Sequence, residues 1–282
     1  MTRRESAEAA PATDAEWHAL VERVEAMVVD AGRIALEHFR AAPAVQDKSR
    51  GAGWDPVTVA DREAEARLRS LLGAAFPSHG LLGEEAAEER GDARCLWTID
   101  PIDGTRGFVS GFVQWGMLLA LSVDGRVRLG VVHQPFTGEL YGASPAGARL
   151  KRIGESGDRP LAVRRCERLE EAIVATTDPY LFEGREAQVF SALRSRARMV
   201  RYGGDCYAYC LLALGQLDAV VESGLAPWDV RALVPIVERA GGRITNWRGG
   251  DCSDGGQVLA CGDADRHAEL LELLAPAAEG PA

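Results

Sequence analysis

The segment Trp97-Thr98-Ile99-Asp100-Pro101-Ile102-Asp103-Gly104-Thr105 constrains this chain more than any other. An apolar run delivers two carboxylates, three residues apart, into a turn shaped by proline and glycine. Hard divalent cations take oxygen ligands in near-octahedral array. Asp100 and Asp103 offer two such ligands, and the Ile102 carbonyl, exposed by the turn, a third. Gly104 lets the backbone approach a ligand closely. A helix starting near Thr105 would turn its free amides toward a phosphate.

Two more acidic sites stand at predicted element ends. Gly83-Glu84-Glu85 follows the apolar Leu81-Leu82, and Trp228-Asp229 opens a predicted helix, Val230 to Ala240. Gathering Glu84, Asp100, Asp103 and Asp229 without a cation would be costly. Two bare carboxylates about 4 Å apart repel by roughly 4 kcal/mol at an effective dielectric near 20. Each acid alone has a plainer reading. Asp103-Gly104 makes a turn, Asp229 and Asp61 make helix caps, and Glu84-Glu85 makes solvated surface beside Glu88 and Glu89. Their co-occurrence favours a metal centre.

The remaining pattern is mixed. Thr13-Asp14-Ala15-Glu16 is a capping box for a helix running to about Phe39, and a second helix spans Asp61 to Ala75. Short apolar strands follow, with Asp124-Gly125 as a hairpin turn between Trp115–Val123 and Val127–Val132. After about residue 160 strands and helices alternate, which indicates an α/β half. The expected division is an α+β part, 1–155, carrying most metal ligands, and an α/β part, 156–282, completing the pocket.

Charge and cysteine usage narrow the partners. With 32 basic and 42 acidic residues the net charge is -10, the wrong sign for a general nucleic-acid binder or an anionic lipid surface. No apolar signal core follows the first arginines, and no run is long enough to span a membrane. Six scattered cysteines form no Cys-x-x-Cys pair and read as reduced thiols of a cytoplasmic protein. The five histidines show no ligand spacing.

Four motifs in order make the chain resemble the inositol monophosphatase superfamily of magnesium-dependent phosphatases. They are Asp55 to Asp61, Gly83-Glu84-Glu85, Trp97 to Thr105, and Trp228-Asp229 with Ala240-Gly241-Gly242; the resemblance spans about 16–275. It implies a layered α-β-α-β-α sandwich, a homodimer, and two to three Mg²⁺ ions. By position, Glu84, Asp100 and the Ile102 carbonyl would hold one ion, and Asp100, Asp103 and Asp229 a second. Glu84 would help a third. Asp61 and Thr105 would orient the attacking water, and the Gly104 and Thr105 amides would hold phosphate. The chain departs from the family at Gly107, where asparagine is common before the phenylalanine. The loop 50–53 is slightly long, which leaves Lys48 unplaced.

Within the superfamily, Gly107 to Gly111, Gly203 to Tyr209 and Val220 to Gly224 look most like the histidinol-phosphatase branch. That likeness puts Asp205 and Glu222 on the substrate side, beside Asp103 and Asp229. Histidinol carries an ammonium and an imidazole, so added carboxylates suit it, whereas inositol is neutral. The plainer reading makes Asp205 a helix cap and Glu222 a strand-end charge. Histidinol phosphate is the expected substrate and inositol monophosphate the alternative. A bisphosphate nucleotidase would need basic or stacking groups where 203–209 offers an acid. A metal-binding regulator without turnover would have no use for Asp61 and Thr105.

Overall fold

The computed structural model describes residues 11–41, 45–47, 56–89 and 91–279. Asp55, Lys48 and the loop 50–53 lie outside the described residues. The chain opens with helix α1 (Asp14–His38), β1 (Val45–Asp47), β2 (Pro56–Thr58) and α2 (Val59–Ala75). Strands β3 (His79–Gly83) and β4 (Asp92–Asp103) lead to the single-turn helix α3 (Thr105–Val109). Then come β5 (Gly116–Val123), β6 (Arg126–Gln134), β7 (Glu139–Ser144), β8 (Gly147–Arg152) and β9 (Arg159–Pro160). The rest alternates: β10 (Ile173–Thr176), α4 (Gly184–Arg196), β11 (Met199–Tyr202), α5 (Asp205–Ala213) and β12 (Ala219–Leu225). It closes with α6 (Pro227–Val230), α7 (Leu233–Arg239), β13 (Arg243–Asn246), β14 (Gly256–Cys261) and α8 (Ala264–Leu274).

Local chemistry accounts for the element ends. Thr13 and Glu16 cap α1 reciprocally, as their spacing predicts. Asp124 and Gly125 both have positive φ, 49° and 74°, and join β5 to β6 as a two-residue turn matched to the strand twist. The predicted helix Val230–Ala240 is corrected: it is two helices, α6 and α7, interrupted at Arg231 and Ala232. Pro235 has no N–H for the Arg231 carbonyl and its ring crowds that carbonyl, so the proline sits in the first turn of a new helix.

Among the described residues, seven strands pair in the order β3-β4-β5-β6-β7-β8-β9 and five in the order β11-β10-β12-β14-β13. The first sheet is antiparallel except for β3 against β4, and the second is mixed. Alternation along each strand assigns its two faces to different cores. On β5, Met117, Leu119 and Leu121 pack with Val24 and Val28 of α1 and Leu68 and Leu72 of α2. Leu118 and Ala120 face the other way, into a core shared with Tyr209 and Leu212 of α5, Ile236 of α7 and Val220 of β12. The far face of the second sheet, Val174, Val221 and Leu259, packs on Phe190 of α4 and Leu270 of α8. The result is five layers, α-β-α-β-α. No helix among the described residues is long and apolar enough to cross a membrane, and all six cysteines are buried thiols.

Candidate active site

Strand β4 carries Asp100 and Asp103 to its C-terminal end. In a regular strand, residues three apart point to opposite faces. Here the register slips between them: Asp100 pairs with Leu118 while Asp103 pairs with Gly116. This bulge adds one residue to β4, and Pro101, which cannot serve a ladder, sits in it. The two carboxylates can then converge. With Asp229 of α6 they present ligand atoms that all lie within 4.8 Å of one another.

Backbone amides fix each acid. Asp100 Oδ1 accepts the Ile102 N–H at 3.0 Å, and Asp103 Oδ2 accepts the Cys206 N–H of α5 at 2.6 Å. Asp229 Oδ2 accepts the Ala226 N–H at 2.8 Å. Asp229 is therefore the third residue of its helix, not the N-cap that isolated reading favours. Thr105 Oγ1 donates to the Ile102 carbonyl at 3.0 Å, tying the threonine to the turn. Gly104 adopts a left-handed φ of 86°, and a side chain there would press on the Gln114 carbonyl. The same carbonyl stands 3.0 Å from where a Gly107 Cβ would lie, so the departure from asparagine occurs at a close approach.

Asp61, 1% exposed, is the third residue of α2 and accepts from the Thr58 N–H at 2.8 Å and the Thr58 hydroxyl at 2.6 Å. It is both a cap and a neighbour of the cluster. Burial first, then the charges of Glu84, Asp103, Asp229 and Asp61, push Asp100 well above the usual carboxylate range. Glu84, half-buried after β3, stands outside the tight group of three, yet its charge also raises Asp100. Burial also pushes Asp103 up, with Asp205 and Asp229 adding to it and the Cys206 hydrogen bonds opposing it.

A cleft of about 390 Å³ opens beside this cluster, lined by Asp103, Gly104, Thr105, Asp205, Glu222 and Asp229. Leu181, Leu225 and Leu233 supply apolar wall. Asp205 begins α5 with a φ of 45°, a strained value that aspartate tolerates better than most residues. The helix N-cap is Gly204 and Asp205 is the first residue of the helix, so the plainer reading of Asp205 as the N-cap is not what the structure shows. Burial lifts Asp205 to about 6; Arg106 opposes the rise and Asp229 adds to it. Glu222, 2% exposed, is lifted by burial to about 8. It accepts from the Thr177 N–H at 2.8 Å, the Thr177 hydroxyl at 3.0 Å and the Thr176 hydroxyl at 3.2 Å. Thr176, Thr177 and the apolar wall carry no motif and were invisible to pattern reading.

Residues 17–280 match the model of the inositol monophosphatase family. The chain belongs to this family. It is 38% identical over 256 residues to the bifunctional phosphatase IMPL2, chloroplastic, of Arabidopsis thaliana, covering 86% of this chain and 71% of that one. It is 37% identical over 220 residues to the histidinol-phosphatase of Chlorobaculum parvum, with 78% and 82% covered. Among solved structures, an inositol monophosphatase from Zymomonas mobilis superposes with a TM-score of 0.81 at 36% identity, covering 92% and 98% of the two chains. The chain is thus a phosphatase of the inositol monophosphatase family, a phosphoric monoester hydrolase.

Proposed function

We propose that this phosphatase is magnesium-dependent and hydrolyses L-histidinol phosphate to histidinol and phosphate, the step that would supply histidinol in histidine biosynthesis. The observation that carries the substrate is the pair Asp205 and Glu222, two carboxylates beyond the metal cluster that line the same cleft. An ammonium or imidazolium beside them would draw both lifted carboxyls back to the ionised form and donate charge-assisted hydrogen bonds to the carboxylates it stabilises. Neutral inositol has no such need. The histidinol-phosphatase named above, at 37% identity, supports the same reading.

The donor set fits the cation. Asp100, Asp103 and Asp229 offer oxygen only, converge within 4.8 Å, and repel one another when bare. In this reading Glu84 and the Ile102 carbonyl complete the oxygen shell, and two to three ions are held. Bound Mg²⁺ supplies a water of lowered pKa and neutralises phosphate charge, which also reconciles a chain of net charge -10 with an anionic substrate. The chain's own residues then have separable tasks. Asp61 and Thr105 orient the attacking water, and the Asp61 carboxylate accepts its proton. The amides of Gly104 and Thr105 hold the phosphate at the turn after β4; α3 is only five residues, so local amides rather than a long helix dipole serve here. Asp205 and Glu222 orient the organic half. The homodimer implied by the family and the cytoplasmic setting read from the cysteines belong to this proposal.

The alternative is an inositol-1-monophosphatase, favoured by the likeness to the Zymomonas mobilis enzyme. One assay separates them. Purified protein is offered histidinol phosphate, inositol 1-phosphate and adenosine bisphosphate side by side with Mg²⁺. The proposal expects the highest kcat/KM with histidinol phosphate. Inositol phosphate winning outright would put the alternative in its place.

A further inference from the structure

Glu65 and Arg69 lie one turn apart on α2, and both are buried, at 1% and 8% exposure. Glu65 uses both carboxylate oxygens on three donors. Its Oε1 accepts from Arg69 Nε at 2.7 Å and from the Ala86 N–H at 3.1 Å; its Oε2 accepts from the Glu85 N–H at 2.7 Å. Arg69 continues to the Ala86 carbonyl at 3.1 Å and to Glu89 Oε1 at 3.0 Å. Residues 84–86 form a bend between strands, without ladder bonds of their own. The helix therefore grips the bend directly after Glu84. Gly83 shows how close the grip is. A Cβ there would fall 2.2 Å from Glu65 Oε1 and 2.8 Å from Arg69 Nη2, although the Gly83 backbone is one that any residue can adopt.

We propose that Glu65, supported by Arg69, is a positioning residue that sets Glu84 against the acid cluster. The inference rests on the reading of Glu84 as a metal ligand. Asp61 and Glu65 are four residues apart and so lie on one face of α2. One rigid helix then places Asp61 directly and Glu84 through the amides that follow it. Glutamine cannot substitute. It keeps one carbonyl oxygen, while its amide nitrogen must face either the Glu85 N–H or the Arg69–Ala86 pair of donors.

The test compares Glu65→Gln, Gly83→Ala and the charge-neutral double variant Glu65→Gln/Arg69→Met with Glu84→Gln. Three quantities are read: amide hydrogen exchange at Glu85 and Ala86 in EDTA-treated protein, Mg²⁺ binding by calorimetry, and the Mg²⁺ concentration for half-maximal turnover. Glu65→Gln and Gly83→Ala, which disturb one contact from opposite sides, are expected to speed exchange at both amides. Each should weaken Mg²⁺ about tenfold or more, the usual cost of losing an outer partner of a metal ligand. At saturating Mg²⁺, kcat should recover most of its wild-type value. If Glu65→Gln leaves too unstable a fold, Gly83→Ala and the double variant carry the same readouts. Unchanged Mg²⁺ binding and requirement in these variants, with Glu84→Gln weakened, would make the pair structural only and overturn the proposal. If Glu84→Gln itself leaves the Mg²⁺ requirement unchanged, the ligand reading of Glu84 fails, and the positioning role with it.

Discussion

Asp100→Asn is expected to abolish turnover while making the metal-free protein more stable. The asparagine keeps an acceptor for the Ile102 N–H, so the bulge of β4 retains its hydrogen bond. What it loses is a charge within 4.8 Å of two others. Losing one oxygen anion from a shared cation site should cost several kcal/mol of transition-state stabilisation, a rate loss on the order of thousands-fold. In the absence of metal the same charge works against folding. A pair of charges about 5 Å apart repels by roughly 3 kcal/mol at an effective dielectric near 20. The upward shift of Asp100 shows that protonation relieves part of this, so the gain is smaller than the bare figure.

The sign with pH follows. A carboxyl whose folded pKa is raised binds a proton that the unfolded chain has released, so stability falls as pH rises above the ordinary carboxylate range. Thermal melts in EDTA should show this fall in the wild type and a shallower one in Asp100→Asn. Added Mg²⁺ should raise the wild-type midpoint and leave the variant's nearly unchanged. A variant that turns over at wild-type rate, or that melts lower without metal, would contradict the assignment.

The second large effect is on substrate preference. Asp205→Asn and Glu222→Gln should each lower kcat/KM for histidinol phosphate by roughly two- to thirtyfold, and far less for an uncharged phosphomonoester. Hydrogen bonds to a charged group contribute about 1.5–3 kcal/mol against about 1 kcal/mol for neutral ones. The Glu222 change is conservative in the fold: a glutamine oxygen can still accept from the Thr177 N–H and hydroxyl, and its amide can meet the Thr176 hydroxyl. Asp205 makes no capping bond that asparagine would lose. Parallel losses on both substrates would show that these acids shape the cleft without reading the cation.

Much of this was legible in the sequence because local chemistry wrote it there. The Thr13–Glu16 box, the Asp124-Gly125 turn and the Asp100 to Thr105 run each depend on neighbours a few residues apart, and each appears where its pattern places it. The split between α6 and α7 also has a local signal, Pro235, in the first turn of α7. Arg231 reinforces that break by reaching Thr98 Oγ1 at 3.1 Å and the Ser253 carbonyl at 3.0 Å. Other features were not legible because they arise between distant segments. The bulge that brings Asp100 and Asp103 together depends on pairing with β5. The hold of Thr176 and Thr177 on Glu222 spans two strands 45 residues apart. Glu65 and Arg69 show in sequence only as an i,i+4 pair, which on most helices is a solvated surface pair; here both are buried against the bend after Glu84.

The central claim, that the carboxylates of Asp100, Asp103 and Asp229 act through a divalent cation on a phosphomonoester, is tested most directly by metal removal and return. Phosphate release from histidinol phosphate is followed with EDTA-treated protein, then after Mg²⁺ is added in excess. The account predicts no turnover above background with chelator and full recovery with Mg²⁺. Turnover that survives EDTA would contradict it.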